Sequence, residues 1–175
     1  RVADSLSNLG NVAGSTGAFD KAHALEERAL RLREASLGPD HPAVASSLNA
    51  IGILHGKAGK LEEAGTYFER ALAIKEKAFG PEFRDLSHTL NNIGNVHSRL
   101  ERYDLARASF ERALAITEKT VGPDHSRAAI SHFNLGNIER RTGHLAEAVV
   151  RYRRALSIFE HALGGNHPRV AHVLS

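Results

Sequence analysis

The chain has 175 residues, with 23 Lys and Arg against 20 Asp and Glu, 42% hydrophobic residues, and no Cys, Met or Trp. This composition excludes wholesale disorder, and the lack of cysteine excludes disulfides, thiol catalysis and cysteine-ligated zinc. No run approaches the roughly 18 apolar residues of a membrane-spanning helix. We therefore expect a cytoplasmic protein with no membrane partner. Because the chain begins at Arg1 and lacks methionine, we also expect a segment of a longer protein.

The formal net charge of +3 is weak evidence about partners. The basic residues are dispersed among nearly as many acidic ones, whereas nucleic-acid binders concentrate them in a stripe. No aromatic residues interleave with the basic strip of Lys57, Arg99, Arg140 and Arg141 described below, as single-stranded nucleic acid would require. We therefore expect no nucleic-acid partner.

The sequence repeats itself every 42 residues. The segment FERALAIKEKAFGPE, which begins at Phe68, returns from Phe110 as FERALAITEKTVGPD, with 11 of 15 positions identical. Extended in both directions, this offset divides the chain into full repeats 2–43, 44–85, 86–127 and 128–169, with the start of a fifth at 170–175. A fixed period of this length is typical of an array of stacked structural repeats.

Each repeat is predicted to begin with an amphipathic helix. In the second repeat, the apolar residues Val44, Leu48 and Ile51 follow one another in steps of three or four, which places them on one helical face. A glycine follows directly in every repeat, although glycine inside a helix costs up to about 1 kcal/mol relative to alanine. We therefore expect close contact with a neighbouring helix at these glycines. They are Gly10, Gly52, Gly94 and Gly136.

A second helix is predicted after a turn that contains glycine in three repeats and Glu101 in the third. Its apolar face in the second repeat includes Ala64, Phe68 and Ala71. The Gly-Pro pair at Gly80 is typical of a helix end, since glycine adopts the left-handed conformation and proline cannot continue the helix. Stacked copies of such a helix pair bury each other's apolar faces, which predicts an α-solenoid with a concave side.

A family resemblance is carried by Leu48, Ile51 and Gly52 in the first helix and by Ala64, Phe68 and Ala71 in the second. With these residues the whole chain, 1–175, resembles a single array of tetratricopeptide repeats. The 42-residue period is similar to that of the kinesin light chain subclass. The resemblance implies an all-α fold, a right-handed α-solenoid of stacked antiparallel helix pairs. Two positions depart from the pattern: Glu26 replaces the aromatic residue, and His132 replaces leucine.

The resemblance further implies that one face of the first helices lines the concave groove and binds an extended peptide. Asparagine recurs there, and its amide can pair with a peptide backbone through both a donor and an acceptor. An alternative is that some of these asparagines tie adjacent first helices together, and both roles can coexist. The residues predicted to line the groove are Asn8, Asn11, Asn49, Ile53, Lys57, Asn91, Asn92, Asn95, Arg99, Phe133, Asn134, Asn137, Arg140 and Arg141.

Two subsets of these residues suggest the chemistry of the ligand. Lys57, Arg99, Arg140 and Arg141 favour a ligand with acidic residues, because arginine binds carboxylates in two-point geometry; the alternative is a solvated helix end. Ile53 and Phe133, together with Ile130, could form a pocket for one apolar ligand side chain, or Phe133 could turn into the core.

The eleven histidines are interpreted as structural residues. His41, His125 and His167 occupy the same loop position in different repeats, and His55 and His97 also recur one repeat apart; each is interpreted as a hydrogen-bonded packing or capping residue. No spacing typical of a zinc site or phosphate-binding loop is present. We therefore expect no metal, no cofactor and no catalytic residues.

The favoured hypothesis is a non-catalytic protein-interaction module that binds an extended, acidic-flanked peptide. The alternative is a structural segment that self-associates through the ends of the solenoid. A metal-dependent activity of the histidines ranks below both.

Overall fold

The computed structural model describes residues 1–164 and 168–174, and all regular structure in that part of the chain is helical. The chain divides into two compact units, Arg1–Pro81 and a second from Glu82 onward. The first unit contains α1 (Val2–Ser15), α2 (Phe19–Leu37), α3 (Pro42–Lys57) and α4 (Leu61–Phe79). The second contains α5 (Leu86–Arg99), α6 (Tyr103–Val121), α7 (Ser126–Arg141), α8 (Leu145–Leu163) and α9 (Pro168–Leu174).

The first unit is formed by two stacked helix pairs. Helix α1 packs on α2, α3 packs on α4, and α2 joins the pairs by packing on α3. The apolar face predicted for α3 is fully buried, with Val44, Leu48 and Ile51 against Leu30 of α2 and Ile74 of α4. Each such side chain contributes about 1.5–3 kcal/mol when it is removed from water. The three- and four-residue spacing of the apolar residues therefore marks the buried face of α3, as the sequence predicted.

The second unit repeats this arrangement, with α5 on α6, α7 on α8, and α6 between the pairs. Its core gathers Phe110 of α6, Leu135 and Ile138 of α7, and Ile158 and Phe159 of α8. The predicted all-α fold of stacked helix pairs is confirmed in each unit. No helix in the described ranges is long and apolar enough to cross a membrane.

The recurrent glycines of the first helices lie against bulky side chains of their own second helices. A Cβ atom built on Gly52 would lie 2.7 Å from the Phe68 ring, and one on Gly94 would lie 2.5 Å from the Phe110 ring. Real Cβ atoms do not approach other atoms so closely, so a side chain at these positions would force the ring or the helix to shift. The close helix contact expected from the sequence is confirmed.

Two predicted features of the helix ends are also confirmed. Gly80 ends α4 with φ of 87°, in the left-handed region that glycine adopts without strain. His41 and His125 cap α3 and α7, because the Nδ1 of each accepts a hydrogen bond of 3.1 Å from the backbone N–H two residues later. His167, expected in the same role, lies outside the described residues.

Candidate functional site

The residues predicted to bind a ligand lie on the first helix of each pair. Asn8 and Asn11 lie on α1, and Asn49, Ile53 and Lys57 lie on α3. In the second unit, α5 carries Asn91, Asn92, Asn95 and Arg99, and α7 carries Phe133, Asn134, Asn137, Arg140 and Arg141.

The first unit contains an open pocket of about 370 Å³ between α1 and α3, here called the α1–α3 pocket. Four of the predicted residues line it: Asn11, Asn49, Ile53 and Lys57. Asn49 is buried, whereas Asn11, Ile53 and Lys57 are exposed. The structure therefore brings together polar amides, an apolar side chain and a cation from two helices at one concavity.

The pocket exists because the residues of α1 and α3 that face it are small. Gly10 and Gly14 of α1 present backbone alone, and Ser46 and Ala50 of α3 add only short side chains. A Cβ atom on Gly14 would already lie 3.6 Å from a methyl group of Leu54. Larger residues at Gly10 and Gly14 would therefore place side chains inside the pocket.

Lys57, at the end of α3, has its ammonium group 5.7 Å from the centroid of the Phe19 ring. This separation is within the range of a cation–π interaction, which contributes about 0.5–1 kcal/mol at an exposed site. The contact holds a positive charge beside the pocket without neutralising it. An approaching carboxylate would consequently meet a localised cation.

The floor of the α1–α3 pocket is Glu26 of α2, which was not predicted as a site residue. Glu26 is only 2% exposed. Its Oε2 accepts a 3.1 Å hydrogen bond from the Ser7 hydroxyl. Burial raises the pKa of the Glu26 carboxyl above its ordinary value, while the Ser7 hydrogen bond and the Arg33 charge act in the opposite direction. The sequence did contain a signal, because Glu26 is in register with Phe68 and Phe110.

Arg33 anchors the hydrogen bonds beneath this pocket. Its guanidinium donates to the Ser7 hydroxyl at 3.0 Å, to an Asp4 carboxylate oxygen at 2.9 Å, and to Ser47. The hydrogen bond from Arg33 lowers the pKa of Asp4, helped by the charged N-terminus. Arg33 thus links α1, α2 and α3 and fixes the hydroxyl that binds Glu26.

In the second unit, asparagines connect the two first helices. Asn91 of α5 donates to the Ser131 hydroxyl of α7 at 3.2 Å and to the Ser87 carbonyl at 2.8 Å. The Asn134 amide of α7 in turn donates to the Asn91 side-chain oxygen at 3.2 Å. The alternative role, tying adjacent first helices together, is therefore observed for Asn91 and Asn134.

Asn137 and Phe133 of α7 both contact Tyr152 of α8. The Tyr152 hydroxyl donates to the Asn137 side-chain oxygen at 2.8 Å, and the Phe133 and Tyr152 rings lie 5.7 Å apart between centroids. Phe133 is half-buried and packs against the core of the second unit. Of the two alternatives for Phe133, the structure favours the one directed towards the core.

The exposed members of the predicted set in the second unit are mainly basic. Arg99 lies in the last turn of α5, and Arg140 and Arg141 lie in the last turn of α7. The preceding residue, Glu139, is buried and forms an ion pair with Arg107 of α6. The Glu139 carboxylate is thus paired within the protein, and Arg140 and Arg141 make the last turn of α7 basic.

Histidines cluster at a separate place in the first unit. The Nε2 atoms of His23 and His55 lie 3.1 Å apart, and the His55 ring stacks on Tyr67 at 5.1 Å between centroids. Burial, followed by the nearby His23, lowers the pKa of His55. These contacts fit the packing role predicted for His55. Among the described residues, no group of three or more His, Cys, Asp or Glu could hold a metal ion.

The comparisons with a family model and with solved structures both relate the chain to proteins built from helical repeats. The tetratricopeptide repeat family model matches residues 1–77 and 85–161. No curated protein sequence matches the chain. Among solved structures, BtubC (BKLC) from P. vanneervenii is 26% identical, with a TM-score of 0.84 over 95% of this chain and 66% of that one.

Two further structures are those of a Podosopora anserina protein described as a kinesin light chain with nearly identical TPR-like repeats. Both are 20% identical and cover 97% of this chain, with TM-scores of 0.81 and 0.80 over 80% and 81% of theirs. At this identity they show the fold alone. Because the family model covers most of the sequence, the chain belongs to the tetratricopeptide repeat family, and its structural neighbours are kinesin light chain-like.

Proposed function

We propose that the chain is a non-catalytic module that binds an extended, acidic-flanked peptide on its first helices. Tetratricopeptide repeats generally mediate protein–protein interaction and are typically non-catalytic scaffolds. The observation that carries the proposal is the α1–α3 pocket, which collects four residues of the predicted binding face into one concavity.

In the first unit, the pocket offers three kinds of contact. The exposed amide of Asn11 can pair with a peptide backbone, since it presents both a donor and an acceptor. Ile53 and Leu54 provide an apolar wall for one ligand side chain. Lys57, held over the Phe19 ring, attracts a carboxylate that follows in the ligand.

In the second unit, fewer residues are proposed to contact the ligand than the sequence suggested. Asn91, Asn134 and Asn137 already bond within the protein, so their main role is to position the helices. The exposed Asn95 and the basic ends of α5 and α7 then carry ligand binding. A continuous row of asparagine contacts to the ligand is not part of the proposal.

The expected affinity is modest and depends on salt. Exposed ion pairs contribute about 0–1 kcal/mol each, and each neutral hydrogen bond about 0.5–1.5 kcal/mol net. A handful of such contacts corresponds to a dissociation constant of roughly micromolar order. Since opposite charges attract less at high ionic strength, binding weakens as salt is added.

The test is fluorescence anisotropy with two labelled 12-residue peptides at low and high salt. One peptide has an apolar residue flanked by Asp and Glu, and the other has Asn and Gln in their place. The wild type is expected to prefer the acidic peptide, and Lys57→Glu and Arg141→Glu are each expected to reduce that preference. The matched controls, Arg28→Glu and Arg153→Glu, change exposed arginines of the second helices and should bind like wild type. Equal losses in test and control variants, or no preference in the wild type, would contradict the proposal.

A second candidate function is self-association through α1. Leu9 and Val12 of this helix are 57% and 61% exposed, and exposed apolar residues that adjoin one another favour a protein contact. Sedimentation velocity should then show species that grow with concentration, and Val12→Asp should abolish that growth. A constant sedimentation coefficient would exclude this function.

A further inference from the structure

The α1–α3 pocket has at its floor a buried carboxylate whose binding capacity is only half used. Glu26 Oε2 accepts a hydrogen bond from Ser7, whereas Oε1 is buried and has no hydrogen-bond partner among the described residues. Leaving a buried charged acceptor unpaired costs more than leaving a neutral one. A ligand that donates to Oε1 would remove this cost.

The repeat pattern shows why the space is present in this repeat. In the following repeats, Phe68 and Phe110 cover the glycine of the first helix with a ring. In the first repeat Glu26 occupies the same position, and a Cβ atom on Gly10 would lie 3.1 Å from its Oε1. A linear carboxylate takes less room than a ring, so the substitution leaves more space beside α1, and the pocket that Glu26 lines has a buried acidic group in its wall.

The basic residues near the Glu26 carboxylate, Arg33 and Lys57, direct their charged groups to other partners. Arg33 donates to Asp4, Ser7 and Ser47. It reaches Glu26 through the Ser7 hydroxyl, which fixes the carboxylate in place. Lys57, at the pocket's edge, directs its ammonium group to the Phe19 ring. A cation that pairs with Oε1 would therefore come from a ligand.

We propose that the α1–α3 pocket binds the ammonium group of a lysine side chain of the partner protein through Glu26. This inference rests on the proposed function, and it names one residue of the bound peptide. The aliphatic stem of the lysine would pack on Ile53 and Leu54, and its ammonium would donate to Glu26 Oε1.

Lysine fits the site better than arginine. A guanidinium binds a carboxylate best through both oxygens at once, and here Ser7 already occupies Oε2. An ammonium group is a compact donor that can satisfy a single oxygen and share its other hydrogens with neutral acceptors. Asn11 and Asn49, which line the same pocket, carry such amide oxygens.

The first experiment tests the pocket without any peptide. The ¹⁵N-labelled chain is titrated with n-butylammonium chloride and, as the uncharged control, with n-butanol. Saturable shifts of the Gly10 and Gly14 amides are expected with the ammonium alone, and Glu26→Gln should abolish them. No saturable shift in the wild type, or equal shifts in Glu26→Gln, would overturn the proposal.

A second variant guards against a failure of Glu26→Gln to fold. Glu26→Phe places in the first repeat the side chain that already packs on glycine at Phe68 and Phe110. It should fold, fill the cavity and no longer respond to n-butylammonium. A response equal to that of the wild type would place the ammonium site elsewhere and overturn the proposal.

The third experiment separates this inference from the proposed function. The acidic peptide carries lysine, arginine, acetyl-lysine or norleucine at its central position. Since a hydrogen bond to a charged group is stronger than a neutral one, the lysine peptide should bind about ten-fold more tightly than the norleucine peptide. Glu26→Gln should remove that difference.

The outcomes are distinct. Equal binding of all four peptides, with the acidic preference retained, would overturn the lysine site and leave the proposed function standing. If n-butylammonium binds at Glu26 and no peptide does, the ammonium site stands and the proposed function fails.

Discussion

Replacing His132 by leucine offers a quantitative test of how α7 is buried. His132 is 8% exposed, and its Nδ1 has no hydrogen-bond partner among the described residues. Burial, with smaller effects of Arg151 and Arg154, lowers its pKa from 6.5 to about 4. The unfolded chain therefore binds a proton at His132 between these two pH values, whereas the folded chain does not.

The sign and size of the effect follow from this difference in proton binding. Because the unfolded state holds more protons, stability falls as the pH decreases from 6.5 towards 4. One pKa unit corresponds to about 1.4 kcal/mol, so the loss due to His132 is about 2 kcal/mol at pH 5 and about 3 kcal/mol at pH 4. Above pH 7 this loss of stability vanishes.

The assay is urea unfolding followed by circular dichroism, from pH 7.5 to pH 4. His132→Leu introduces the residue found in register at Leu48 and Leu90, both buried, so it should fold and unfold at higher urea at every pH. Its advantage over wild type should grow by about 3 kcal/mol towards pH 4. The control His161→Gln, at an exposed position, should follow wild type. Parallel pH profiles of His132→Leu and wild type would refute the reasoning.

Three further substitutions test the packing by the same urea assay. Gly94→Ala, whose Cβ would lie 2.5 Å from the Phe110 ring, should cost about 1–3 kcal/mol. Its control Gly56→Ala, whose Cβ meets nothing nearer than 4.0 Å, should be neutral or stabilising; equal effects would contradict the close helix contact. Glu101→Gly should stabilise the protein by about 1 kcal/mol, because Glu101 has φ of 58°, where glycine is unstrained. A loss of stability would show that contacts of the Glu101 side chain outweigh the relief of backbone strain. Glu26→Phe should stabilise the first unit by filling the α1–α3 pocket, and destabilisation would mean that the ring does not fit against α1.

The fold was predictable because its causes are local and repeated. A 42-residue period, helical spacing of apolar residues, and glycine at the end of each second helix predict the helix pairs directly. Gly52 and Gly94 were even assigned their physical role, since an unfavourable residue that recurs in register needs a packing reason.

The site was predictable only in part, because the partner of a polar side chain depends on distances between helices. Asn91 and Asn11 look equivalent in the sequence, yet Asn91 bonds to α7 whereas Asn11 is exposed at a pocket. Glu26 was recognised as a departure from the aromatic pattern. That this departure opens a cavity follows only from the positions of α1 and α3.

The most direct test of ligand binding on the first helices is a map of amide shifts on addition of the acidic 12-residue peptide. Saturable shifts at Asn11, Asn49, Ile53 and Lys57 are expected, with smaller ones at Arg141. Shifts confined to the second helices, such as those around Arg28 and Arg153, would contradict it.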